Sequence, residues 1–154
     1  MEVNIYLGTN VRGPKAISGW CAYVLETKVF KAGKEETITV EGFKHLDNKT
    51  FNQMTLSALF YALQRFRKPS DITIYTDNVH IASSISSGLP KKWQANQWRN
   101  MSGQEVKNRY LWQLVTEGLD KHNTKVVYDR HHAYKSWMQR EIQAREGAFK
   151  SGCA

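Results

Sequence analysis

Asp77 follows the β-branched run Ile72 to Tyr75 and precedes a helical stretch, Asn78 to Ser87, that Gly88 and Pro90 stop. A carboxylate at a strand-to-helix junction can accept hydrogen bonds from the free amides of the first helical turn, so a helix cap is its simplest role. A second grouping lies between Lys91 and Arg109, where Lys91, Lys92, Arg99, Lys107 and Arg109 surround Trp93 and Trp98 with only Glu105 opposing them. Cations interleaved with indoles offer charge neutralisation and a stacking surface, and the segment 91–109 reads as a basic protrusion. An ordinary buried aromatic set is the competing account, and for Trp112, on the next helical stripe, it is the better one. The two cysteines, Cys21 in an apolar segment and Cys153 in the tail, form neither a disulfide framework nor a metal-ligand spacing. Both thiols are expected to be reduced and chemically idle.

The elements that must position these groups are legible in outline. Val3 to Leu7 alternates apolar and polar residues as a strand does, and the Gly/Pro-containing stretch Gly8 to Gly19 leads to a second strand, Trp20 to Glu26. After the turn-like Ala32-Gly33-Lys34, Thr37 to Phe43 is again β-rich, which gives three consecutive antiparallel strands. Phe51, Met54, Leu56, Leu59, Phe60, Leu63 and Phe66 follow helical spacing, with Thr50 as N-cap and Pro69 beyond the end. Past the basic segment, Leu111, Leu114, Val115 and Leu119 mark a helix, Lys125 to Asp129 a last strand and Trp137 to Phe149 a closing helix. The expected fold class is α/β, a five-stranded mixed sheet of three antiparallel strands and then two reached by crossovers, flanked by helices. Residues 1–154 are expected to form one domain.

Length and charge narrow the classes. A chain of 154 residues can build its own core without a disulfide or metal. Its 22 Lys+Arg against 14 Asp+Glu leave a charge of +8, which favours an acidic partner, most often nucleic acid. The longest apolar run, Ala58 to Leu63, is far short of the ~20 residues that span a bilayer, and Met1 to Asn10 lacks the charged start and apolar stretch of a secretory leader. A cytoplasmic protein is expected.

Four places share one likeness. Trp93 to Trp112 holds two tryptophans five apart, a basic bridge, then Val106-Lys107-Asn108 and Leu111-Trp112. Ser18-Gly19-Trp20, Ile74-Tyr75-Thr76-Asp77 and His132-Ala133 are the other three. On these the chain resembles the type 1 ribonuclease H family, enzymes that cut the RNA strand of an RNA–DNA hybrid, over nearly its whole length. The likeness implies that Thr50 and Asn52 approach a hybrid, with Phe51 in place of a middle amide and Pro14 in place of a contacting Asn. It assigns Lys91, Lys92, Trp93, Trp98, Arg99 and Lys107 to the nucleic-acid-binding ridge and His132 to the family's mobile histidine.

The chemistry departs from the family pattern. Members hold two divalent ions, typically Mg²⁺, with four carboxylates, and ions about 3.5–4 Å apart clamp the attacking water and the leaving oxygen. Here the first-strand position falls on Gly8, the first-helix position on Thr55 and the third on Asp77, and the nearest carboxylate to the fourth is Glu141. No intact catalytic set is expected, and a metal would find Asp77 and Glu141 only. Asp77 also reads as a helix cap, Glu141 as a solvated residue near Arg140 and Arg145, and His132 as a surface histidine. A substitute site from Asp129 with His131 and His132 has no motif behind it. The expectation is a nucleic-acid-binding ribonuclease H-like protein, for an RNA–DNA hybrid or other A-like duplex, that has lost metal-dependent hydrolysis. It would be a monomer and need no cofactor. The alternatives are an active hybrid endoribonuclease with a non-standard site using Mg²⁺ or Mn²⁺, and a protein-interaction module docking its basic ridge on an acidic partner.

Overall fold

Alternation along the first strand puts Ile5 and Leu7 on one face and Tyr6 and Gly8 on the other, and strand β1 (Glu2–Thr9), in mid-sheet, is covered on both by helices. It pairs antiparallel with β2 (Ile17–Lys31) and parallel with β4 (Asp71–Thr76). Outside these, β3 (Lys34–Lys49) is antiparallel to β2 and β5 (Asn123–Tyr128) parallel to β4, in the order β3-β2-β1-β4-β5. This is the expected five-stranded mixed sheet. The structure, a computed structural model, describes residues 1–152, so Cys153 lies outside the described residues.

The helices α1 (Phe51–Leu63) and α4 (Arg109–Leu119) cover one face. Their Met54, Leu59, Trp112 and Val115 close over Ile5, Leu7, Tyr23 and Leu25. On the other face α5 (Lys135–Gly152) sets Met138 and Ile142 on Tyr6, Ala22 and Val24. Thr50 caps α1 as expected, its hydroxyl taking the Gln53 N–H while the Gln53 side chain takes the Thr50 N–H. Burial pushes the Cys21 thiol up to about 12, so it stays protonated and idle.

Three boundaries differ from expectation. The second and third strands run to 15 and 16 residues and extend at both ends: beyond Glu26 they pair only with each other as an exposed ribbon, and at the other end β3 follows β2 until Lys49 lies opposite Ile17. A ribbon with no buried face has no apolar alternation to read. It closes at Ala32 and Gly33, both at positive φ (52° and 78°), the two-residue turn whose twist matches paired strands. Second, Gly88 and Pro90 do more than end α2 (Val79–Ser86): Gly88 at φ 75° reverses the chain and Pro90 opens α3 (Leu89–Ala95). Third, α5 begins at Lys135 rather than Trp137.

Candidate functional site

β1 and β4 run parallel and end side by side, so Gly8 and Asp77 come to the same edge of the sheet. Asn78, not Asp77, caps α2: its Oδ1 accepts the Ile81 N–H at 3.1 Å. The capping role expected for Asp77 thus falls one residue further on, which frees its carboxylate. That side chain, 4% exposed, accepts from Arg12 Nη1 at 2.6 Å and from Lys135 Nζ, both on Oδ2. A buried carboxylate is tolerated only when paired, and here two cations meet one anion, which leaves a local charge of +1. Lys135 is largely covered, whereas Arg12 is half exposed and lies over the Phe51 ring, 4.4 Å from its centroid.

Of the other three positions that the resemblance assigns to carboxylates, Gly8 and Thr55 carry none. A Cβ built on Gly8 would stand 2.7 Å from Met138 Sδ, so a buried thioether fills the place a longer first-strand side chain needs. Thr55 is buried inside α1, where its hydroxyl donates to the Phe51 carbonyl at 3.0 Å and accepts from Asn78 Nδ2 at 3.1 Å. Asn78 Nδ2 also donates to Asn52 Oδ1, so the three amide and hydroxyl groups hold one another. Glu141 sits half-buried on α5 without an ion-pair partner among the described residues. No three His, Cys, Asp or Glu residues converge on a common point among the described residues. Two hard dications need several anionic oxygens, and a lone carboxylate already held by an ammonium and a guanidinium does not fit them.

His132 is 4% exposed, so the surface reading is corrected. Its Nε2 lies 2.9 Å from the Leu7 carbonyl, which can only accept, and its Nδ1 accepts the Tyr134 N–H at 3.3 Å. The ring is thereby fixed as the Nε2–H tautomer and staples the start of α5 to β1. Burial pushes its pKa down, the Leu7 carbonyl opposing this and Lys135 adding to it. His131 and Asp129 lie outside in a local turn, the Asp129 Oδ1 taking the His131 N–H, and do not converge with His132.

The nucleic-acid candidates divide. Thr50, Asn52 and Lys107 come together around a cleft of about 220 Å³ that Arg12, Pro14 and Phe51 also line. The Phe51 N–H donates to the Gly13 carbonyl and Gln53 Nε2 to Asn108 Oδ1, which ties both rims to the start of α1. Lys107 is exposed, as is Lys92 on α3. The two tryptophans behave otherwise than expected. Trp98 is 7% exposed within the core, and Trp93 packs half-buried against Trp112 with centroids 5.3 Å apart. A seven-residue helix cannot hold itself in water, and these indoles fasten it to α4. Lys91 is taken by Asp120 at 2.6 Å, and Arg99 Nη1 donates to the Gly103 carbonyl at 3.0 Å, closing its own loop.

Sequence reasoning missed Arg12, Lys135 and Met138. One signal existed for Lys135, because an ammonium in the first turn of a helix opposes the helix dipole and so calls for a fixed anion. Arg12 and Met138 carried none, since a loop arginine and a helical methionine are ordinary in sequence.

The comparisons with known proteins agree with one another. The RNase H family profile matches residues 3–141. A ribonuclease H of Caldicellulosiruptor saccharolyticus is 34% identical over 124 residues, which cover 80% of this chain and 79% of the relative. A ribonuclease H of Bradyrhizobium diazoefficiens is 31% identical over 150 residues, covering 97% of this chain and 91% of the relative. Among solved structures, LC9-RNase H1, a type 1 RNase H with the type 2 active-site motif, superposes with a TM-score of 0.74 at 17% identity, over 96% of this chain and 72% of that one.

Proposed function

Because the chain belongs to the ribonuclease H family, we propose that it acts as a nucleic-acid-binding member that docks an RNA–DNA hybrid or other A-like duplex without two-metal hydrolysis. The observation that carries this reading is the state of Asp77, paired to Lys135 and Arg12 while Met138 fills the space before Gly8. Removing even the partners behind metal ligands typically costs about 10–100-fold in metal affinity or activity, and here two of four ligand positions are neutral. Binding needs other groups. The cleft around Thr50, Asn52 and Lys107 supplies polar and cationic contacts, and no acidic residue lines it. Such contacts are mostly to phosphate and sugar, so the selectivity among hybrid, duplex RNA and duplex DNA is weak.

A cleavage assay tests this reading. Purified protein incubated with a labelled hybrid in Mg²⁺ or Mn²⁺ should leave the RNA strand intact, and cleavage abolished by Asp77→Asn overturns the proposal. Titration against hybrid, duplex RNA and duplex DNA should give a linear fall of log affinity with log salt, with a slope of about −0.9 per phosphate neutralised on B-DNA. No binding to any of the three at low salt would favour a protein partner instead.

A further inference from the structure

We infer that Arg12 and Lys135 form a phosphodiester-binding site at Asp77 that works without divalent metal, with Arg12 as the group that leaves the carboxylate to hold the phosphate. The inference rests on the reading that the chain binds a nucleic-acid duplex. Its first support is charge: the free site holds two cations against one carboxylate, and one phosphodiester anion brings the four groups to neutrality. The second is hydrogen-bonding capacity. A guanidinium presents five N–H donors and an ammonium three, while Asp77 Oδ2 is the shared acceptor of one contact from each. The unused donors of Arg12 are in a planar fork that matches two phosphate oxygens.

Position supplies the third support. Arg12 lines the cleft of Thr50, Asn52 and Lys107, and it also lines a second cleft along α5, bounded by Asn10, Gln139 and the ion pair of Glu146 and Lys150. It is the residue common to both, so a backbone passing from one cleft to the other crosses its guanidinium. The Phe51 ring beneath the guanidinium shields it on one side, which strengthens a charge-assisted hydrogen bond on the other. The two cations differ in freedom. Lys135 is 17% exposed and stays on Asp77, while Arg12 is 49% exposed and can turn outward without leaving a buried anion unpaired.

Fluorescence anisotropy with a labelled RNA–DNA hybrid tests the inference, using the full chain in EDTA and again in Mg²⁺. Wild-type affinity should agree within about twofold between the two conditions. Arg12→Gln should weaken binding about tenfold or more in EDTA, as loss of a charged hydrogen bond does, and should flatten the salt slope by about one unit. Arg12→Lys should recover the slope while falling short of the wild-type affinity, which separates charge from fork geometry and shows that position 12 tolerates change. Wild-type binding that EDTA abolishes, or that Arg12→Gln leaves unchanged, overturns the inference and spares the proposed function. Failure of the wild type to bind any duplex at low salt overturns both.

Discussion

Around Asp77 every charged group has a partner within the protein, whereas at the far side of the cleft from Thr50 to Lys107 the Lys107 ammonium faces water. The two regions share α1 as a wall and Arg12 as a common residue, yet at Asp77 the cations rest on a buried carboxylate while Lys107 is free. In the first, Gly8, Thr55 and Met138 form a packed, hydrogen-bonded floor beneath an ion triad. In the second, the capping box of Thr50 and the link from Gln53 to Asn108 hold the rims while leaving Lys107 free. The difference teaches that one scaffold can engage the charges of one region internally while leaving a cation of the neighbouring region free.

The largest test of the contrast is thermodynamic. Asp77→Ala removes the anion from a mostly covered ammonium, and urea unfolding should show a loss of about 3 kcal/mol, as for other broken buried pairs. Lys107→Ala, by contrast, should stay within about 0.5 kcal/mol. Equal stability of the two variants would mean that the triad does not hold the region around Asp77 together. Next in size is the coupling between Gly8 and Met138. Gly8→Ala should cost about 1–3 kcal/mol by overpacking, and in a Met138→Ala background the cost should shrink, giving a coupling of at least about 0.5 kcal/mol in a double-mutant cycle.

Acid should separate the regions further. His132 prefers its neutral form in the fold, so its contribution is complete above its ordinary pKa and is lost as pH falls through the lowered value. Glu26 behaves alike: burial raises its carboxyl, but hydrogen bonds from Tyr134, Asn4 and Tyr6 and the charge of Lys28 outweigh this and hold it below the usual range. Its stabilisation is present above the ordinary carboxylate pKa and lost as pH falls through the lowered one. Chemical unfolding should therefore show stability declining from neutral pH downward in two steps, the first reduced by His132→Asn and the second by Glu26→Gln. The smallest effects concern the basic segment. Lys92→Ala and Lys107→Ala should each reduce the salt slope of duplex binding by about one, while Lys91→Ala and Arg99→Ala change it less because those cations are engaged internally.

Much of this was readable from the chain. Alternation at Val3 to Leu7 and helical spacing from Phe51 to Leu63 gave the sheet and its main helix, because each buries a face with a fixed period. The family likeness pointed to Gly8 and Thr55 as neutral residues where carboxylates are expected, because the strand and helix around them were legible. The ion triad was not readable, since Lys135 and Asp77 are 58 residues apart and a salt bridge has no local period. Nor was the direction of Trp93 and Trp98, because aromatic residues among cations have the same composition whether they point into a groove or into the core. Packing decided it: α3 needs anchors, and α4 offered Trp112.

The order in which the chain assembles follows from its connectivity. The β2 and β3 ribbon pairs from Lys31 and Lys34 outward across a two-residue turn, so its contacts are nearly local and cheap in loop-closure entropy. The contact between His132 and Leu7 spans 125 residues and that between Lys135 and Asp77 spans 58, so both carry a larger loop-closure cost than the ribbon. Contacts closed across such long loops are expected outside the folding nucleus, where they act on how long the native state persists more than on how fast it is reached.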